Sequence, residues 1–441
     1  MDVITHAENQ VTERKCPFDL KQLGEVVQTL RSPDILHRPE QFAGVATDPV
    51  NGAINIREFL DGTMIYLHGQ EHRSRRKLLN QLVRPDSLTF IREELILPEV
   101  DRLLELRLHE PDADGQYGLD LVDFCERVFL RFTAKLIGLV NVDSDEAIDR
   151  LRSCAGPLAA GTSSNFLEDR DAINRMALEA KQRYVDEFYI PSRDAYRAWL
   201  AEVDAGTRSD ESVPASLLKF IVGQRDPAYA DEHKAIVETT MMFAASVGTS
   251  TQSVVHTVDL LQRWFAEHPE DVDSRTDTEF LMNALAETIR LRAPFSPYVC
   301  RVAGADHPVG ERVIDAGQEI HVHYVFANRS KDVFGEDADQ YNPRRPSPSN
   351  GMPRYGVGFG SGIHQCYGMR VVLGNEGLGG SHVHMLRALL AAGVTPDSRH
   401  EPVSLKKDMS KFEIEDIPRY TQYPVVFTSW DASSQLKVGR E

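Results

Sequence analysis

The stretch Phe359-Gly-Ser-Gly-Ile-His-Gln-Cys366-Tyr-Gly368 sets one cysteine in a glycine-rich loop, and a helical pattern follows it at once. A helix N-terminus offers unbonded backbone N–H groups and the positive end of its dipole. Both favour a thiolate over a thiol. Gly360, Gly362 and Gly368 let the backbone and a flat partner come close.

A thiolate so placed suits the axial position of a heme iron, where it pushes electron density onto the metal and helps split a bound O–O unit. Rival readings are weaker. Gly356 to Gly362 looks like a phosphate cradle, but no GxGxxG spacing fits and no Lys-Ser or Lys-Thr follows. His364 and Cys366 could be two zinc ligands, yet no second pair stands at finger spacing. A lone cysteine is usually just a small buried side chain; the glycines and histidine around Cys366 argue against that here.

Composition bounds the function from outside. With 441 residues the chain can hold two or three ordinary domains or one large enzyme fold. The formal net charge of −18 argues against a general nucleic-acid binder and against broad adhesion to anionic membrane. Cys16, Cys125, Cys154, Cys300 and Cys366 are scattered and include no CxxC pair. Neither a disulfide framework nor a zinc ribbon is expected, and a reduced intracellular protein is. Residues 1–15 lack the apolar core of a signal peptide, and no run nears the roughly twenty apolar residues that cross a bilayer. The expected location is cytoplasmic and unanchored.

Helical spacing of apolar residues covers 100–108 and 119–140. Residues 43–67 read as a long loop and 203–215 as a polar connector. One long helix is expected over 231–267, broken in character by a patch of small side chains, Ala244 to Thr251. Small residues weaken a helix locally but let something bulky, or another helix, approach its backbone. A further helix spans 279–292 and ends before Pro294. Strands are expected at 298–303, 319–325 and 424–428, a long ordered coil at 335–363, and a helix over 367–390.

Glu287-Thr-Ile-Arg290 puts opposite charges on one helix face, which alone is no more than a surface ion pair. Its place between the small-residue helix and the cysteine loop gives it weight. Together these features resemble the cytochrome P450 family. Tyr341-Asn-Pro-Arg-Arg345, Ala327-Asn-Arg329 and Gly69-Gln-Glu-His72-Arg-Ser-Arg-Arg76 add to the resemblance, in the family's order from about residue 60 onward.

The resemblance implies a mainly α, single-domain fold with a small β region over 1–441, residues 1–20 being an extension. It implies heme b as cofactor, with Cys366 as the axial metal ligand and Phe359 packed near its sulfur. Glu287, Arg290 and Arg345 become a buried charge network bracing the coil. His72, Arg76, Arg301 and His364 become the groups that hold the heme propionates, and Gly248 and Gly368 border the cofactor. The small-residue patch becomes the oxygen-activation helix. Aligned as Val247-Gly248-Thr249-Ser250-Thr251, it supplies Thr251 and Ser250 as catalytic hydroxyls. A rival register uses Thr249 and puts Gly248 at the acid position.

The chain departs from the family's pattern in four places. Neither register supplies the usual proton-relay acid. Arg301 comes one residue late after Arg290. His68 and Gln70 stand where Asp and Pro are frequent, and Val371 and Val372 where Leu-Ala is common. The implied activity is monooxygenation of an organic small molecule, with electrons from a separate ferredoxin or flavodoxin. The missing acid keeps open an atypical heme-thiolate chemistry, such as peroxide use, oxidative coupling or rearrangement, and a non-catalytic heme sensor is a further alternative. Substrate contacts are expected from 43–67, 155–195, Ala244 to Thr251, Phe295 to Val299 and the C-terminal turn. Two HxH pairs remain. His321 and His323 would share a strand face, and His382 and His384 would point apart on a helix. Histidines sharing a strand face sometimes ligate metal, so a metal site at either pair is the minor alternative, and the first reading of both is satisfied or solvent-facing histidines.

Overall fold

The computed structural model describes residues 16–37, 62–162, 164, 167–222, 229–293, 298–375, 377–405 and 417–428. Most of the expected 43–67 loop, and most of the N-terminal extension, lie outside these residues.

The architecture is mainly helical with a small β region, as the sequence implied. The central element is the helix Glu232–Glu267, which runs unbroken through the small-residue patch. Its start is fixed by Asp231, whose side chain accepts from the His233 N–H. Propensity alone would weaken the helix at Ala244 to Thr251, so packing decides. It lies against Leu121–Ile137, Asp145–Gly161 and Thr278–Leu291. Val254, Val255, Val258 and Leu261 are fully buried there.

A four-stranded sheet forms a second apolar cluster, in the order Phe18–Leu20, Glu319–Val322, Val299–Ala303, Ile35–Leu36. Phe18–Leu20 runs parallel to Glu319–Val322, and the other pairings are antiparallel. A three-stranded sheet joins Val394–Pro396, Pro424–Phe427 and Gly118–Asp120. The strand expected over 319–325 ends at Val322, and a short helix, Tyr324–Ala327, follows.

The helix expected over 367–390 is not continuous. Met369–Leu373 stops at Gly374, a hairpin pairs Gly374–Asn375 with Leu378–Gly379, and a second helix runs Ser381–Ala391. Gly374 has φ +90°, and a Cβ there would lie 1.9 Å from the Leu378 carbonyl oxygen. The apolar spacing is helical on both sides, but the glycines turn the chain out between them. His382 and His384 do lie on the second helix. His382 is buried and stacks on Phe129, with ring centroids 4.6 Å apart.

Burial alone pushes the His382 pKa down to about 3. A histidine that takes up protons less readily folded than unfolded stabilises fully above its unfolded pKa, and that stability is lost as pH falls. Between pH 7 and pH 5 the protein should therefore lose about 2 kcal/mol through this residue, given an unfolded pKa of about 6.5 and about 1.4 kcal/mol per pH unit. Urea unfolding of wild type and His382→Met at both pH values should show the loss in wild type and its disappearance in the variant.

Candidate active site

The cysteine loop is closed by its own backbone. The Cys366 N–H donates to the Phe359 carbonyl at 2.7 Å, and Gly360 N–H to the Val357 carbonyl at 2.8 Å. Gly362 adopts φ +71°, and a Cβ there would come within 2.5 Å of the Leu30 carbonyl oxygen. Arg31 holds the loop from outside, its Nε donating to Ser361 Oγ at 3.0 Å. Phe359 is buried and meets Tyr355 edge-on at 5.0 Å.

Cys366 lies deep in the protein yet borders open space, so its side chain faces an interior void. Burial pushes its thiol up; the N–H groups of Gly368 and Met369 and the Arg76 charge oppose this. The donors anticipated from the loop are present, and a cation at Sγ is what would complete ionisation.

The loop rests on a buried charge network. Glu287 Oε1 meets Arg290 Nη2 at 2.7 Å and Arg345 Nε at 3.0 Å. Arg290 Nη1 donates to the carbonyls of Asn328 and Ala338, both at 2.6 Å. Arg345 reaches Asp337 Oδ1 at 2.6 Å and the Gln340 carbonyl at 3.0 Å. Asn328 joins this network to the cysteine loop. Its Nδ2 donates to the Arg290 carbonyl at 3.0 Å, and its Oδ1 accepts from Val357 N–H at 2.8 Å. Four residues from three separately quoted motifs thus act as one truss.

Opposite the loop stands a basic cradle. His72 and Arg76 are a turn apart on the helix Gly69–Leu79. That helix is fixed by Arg75, fully buried and paired to Glu238 at 3.2 Å and Glu71 at 3.0 Å. It is tied to the loop by Tyr367, whose hydroxyl donates to the Leu79 carbonyl and whose ring faces Arg76 at 5.5 Å. The His72 and His364 rings are 4.7 Å apart.

Sequence reasoning missed two neighbours, His37 and His68, with rings 4.3 and 5.1 Å from His364. His68 showed only as a departure from an expected Asp, and nothing in local spacing points to His37. Among the described residues, the buried His37 Nε2, His72 Nδ1 and His364 Nε2 have no hydrogen-bond partner.

Burial pushes the pKa of Arg76 down, opposed by Cys366 and Tyr367. Arg301, 6% exposed, is also pushed down by burial, opposed by Tyr324, Tyr66 and Cys300. None of these opposing groups is a carboxylate. Half-buried Arg76 and the orphaned imidazole nitrogens of His37, His72 and His364 in one cluster suit an anionic ligand. The two propionates of a heme supply it, so the residues present fit that cofactor.

The central helix separates the two hydroxyl assignments. Thr251 is 1% exposed, and its buried Oγ1 has no hydrogen-bond partner among the described residues. Thr249 borders open space with the exposed Ala245 one turn before it, and its Oγ1 donates to the Ala245 carbonyl at 2.6 Å. Two residues along a helix are about 200° apart, so Thr249 and Thr251 face nearly opposite sides. Ser250 is partly exposed, and its carbonyl accepts from Ser253 Oγ at 2.8 Å. A Cβ built on Gly248 would lie 3.6 Å from Nη2 of Arg419, a residue the sequence did not single out. Burial lowers the Arg419 pKa, opposed by the charge of Glu126.

The family model described as Cytochrome P450 matches residues 17–372. Putative cytochrome P450 126 of Mycobacterium tuberculosis is 33% identical over 130 residues, 29% of this chain and 28% of that protein. Putative cytochrome P450 137 of the same organism is 25% identical over 332 residues, 70% of this chain and 63% of that protein. Linalool 8-monooxygenase of Pseudomonas putida is 31% identical over 133 residues, 30% of each chain. The chain therefore spans less than two thirds of the length of these relatives. Among solved structures, open cytochrome P450 EryK from S. erythraea superposes with TM-score 0.64 at 20% identity, covering 96% of this chain and 93% of that one. CYP109E1 from Bacillus megaterium in complex with testosterone gives 0.60 at 14%, covering 93% of each. These likenesses establish a shared fold.

Glu287→Ala would leave buried Arg290 without a carboxylate and Arg345 with Asp337 alone, a loss of about 3–5 kcal/mol. The expected result is soluble protein with little bound heme, or none recovered folded. Heme content and urea unfolding beside Glu279→Ala, on the same helix, measure it.

Proposed function

Because the chain belongs to the cytochrome P450 family, we propose that it is a heme-thiolate monooxygenase acting on an organic small molecule. The observation that carries this is the placement of Cys366, in a braced loop and facing the void that the basic cradle borders. Heme b bound there supplies the redox chemistry that puts one atom of O₂ into the substrate and reduces the other to water.

The protein's own work is positional. Cys366 Sγ would hold the heme iron, and the Gly368 and Met369 N–H groups would stabilise its negative charge. His72, Arg76, Arg301 and His364 anchor the propionates, with His37 and His68 packed behind them. We assign the hydroxyl beside the reacting centre to Thr249 in place of Thr251, because Thr249 faces open space. Gly248 then stands where the family's acid is usual, and the guanidinium of Arg419 occupies the space beside it. That cation favours a substrate carrying an anionic or strongly accepting group on this side. The name of linalool 8-monooxygenase supports a small organic substrate in general. Electrons are proposed to come from a separate ferredoxin or flavodoxin, in the cytoplasm.

The missing acid favours one second reading, use of peroxide as oxidant. A single experiment separates the two. Protein is supplied with NADH, a ferredoxin and its reductase under ¹⁸O₂ on any substrate that shifts its heme spectrum. The proposal expects one labelled oxygen in the product. Label absent, with turnover only on added peroxide, would establish the second reading. In the same assay Thr249→Ala should lower product per NADH by on the order of tenfold or more, as loss of a placed proton-transfer group does. Thr251→Ala should leave that ratio unchanged; the reverse pattern would return the role to Thr251.

A further inference from the structure

One side-chain cluster on the four-stranded sheet has no part in the heme site. Alternation along Glu319–Val322 puts Glu319 and His321 on one face, with His323 just beyond the strand end. The parallel register sets Asp19 directly opposite His321. Asp19 Oδ1 lies 2.8 Å from His323 Nε2 and 3.6 Å from His321 Nδ1, and one ligand atom from each of the three falls within 4.8 Å of the others. A tetrahedral zinc with bonds of about 2.0–2.1 Å sets its ligand atoms about 3.3 Å apart. The two observed separations straddle that value.

Proton bookkeeping points the same way. His321 Nε2 is 2.8 Å from Glu319 Oε1. A neutral imidazole has one N–H. If that proton bonds Glu319, then Nδ1 presents a lone pair to the Asp19 carboxylate. Two electron-rich atoms facing one another are stabilised by a cation between them, either a proton on Nδ1 or a metal ion. A carboxylate on the far nitrogen is also the usual companion of a metal-bound histidine, since it fixes the tautomer. Tyr298 holds the His321 ring by stacking at 4.1 Å and 21°. The side chain of Asp19 is 48% exposed, which gives an ion entry and leaves room for a water ligand.

We propose that Asp19, His321 and His323 bind a divalent ion of the zinc class, oriented by Glu319, which clamps the strand Phe18–Leu20 to the sheet. Metal binding displaces the proton from His323 Nε2, which moves to Nδ1 of the neutral ring or, from an imidazolium, is released to water. Two carboxylates and two neutral imidazoles balance the dication.

The test uses heme-loaded protein, treated with chelator, dialysed and titrated with zinc chloride. The expected result is one zinc per chain and a higher melting temperature with zinc. Zinc-edge X-ray absorption should show nitrogen and oxygen at about 2.0–2.1 Å without sulfur at about 2.3 Å. Asp19→Asn and His323→Ala should remove both the binding and the stabilisation. The gentler Glu319→Gln should weaken binding by roughly 10–100-fold, the range for a carboxylate behind a ligating histidine. Exposed His109→Ala should change nothing, and an unaltered heme spectrum in each variant reports that it has folded. Zinc uptake only at millimolar levels, or uptake unchanged in His323→Ala and Glu319→Gln, would overturn the site. A sulfur shell would overturn it too, because it would assign the ion to buried Cys300, which lies with Glu319 and His321 in an overlapping group.

Discussion

Everything at the heme site depends on one buried carboxylate. Glu287 holds the guanidinium groups of both Arg290 and Arg345, and these in turn bind the carbonyls of 328, 334, 337, 338 and 340. The coil from 335 to 361 has no strand or helix to satisfy its backbone. A buried coil without partners for its polar groups is costly. The arginines serve as those partners, and Asn328 passes the constraint to Val357 at the foot of the cysteine loop. An ion network of this kind does little for stability compared with an apolar core. Its value lies in specifying one backbone path, and hence one position for Cys366.

That dependence explains what could be read from sequence. The cysteine loop was legible because its chemistry needs local features: glycines for close approach, a cysteine at a helix start, and a histidine two residues before. Glu287 and Arg290 were legible as a pair but not as a keystone, since i,i+3 spacing looks the same on a solvated face. Asn328 was visible only within a short motif. Its function arises from two contacts far along the chain, one of them with Arg290, thirty-eight residues away.

The less legible parts share a cause. His37 joins the histidine cluster around His364 across the fold, through contacts that no local pattern encodes. Arg419 reaches Gly248 from a coil segment far along the chain. The choice between Thr249 and Thr251 turns on which face of a long helix meets the void, and runs of small residues carry no clear amphipathic stripe to decide it. The break at Gly374 failed for the opposite reason. Helical spacing on both sides outweighed the glycines between them, although Gly374 and Gly377 both take positive φ. Strand alternation placed His321 and His323 correctly on one side, but only the parallel pairing with Asp19 turned them into a cluster.

The central claim is that Cys366 ligates heme iron as a thiolate, and the absorption spectrum of the reduced, carbon-monoxide-bound protein tests it most directly, taken beside Cys366→Ala. The account predicts a strongly red-shifted Soret band in wild type that is lost in the variant. Heme bound with an unshifted band, or a shifted band that survives in Cys366→Ala, would contradict it.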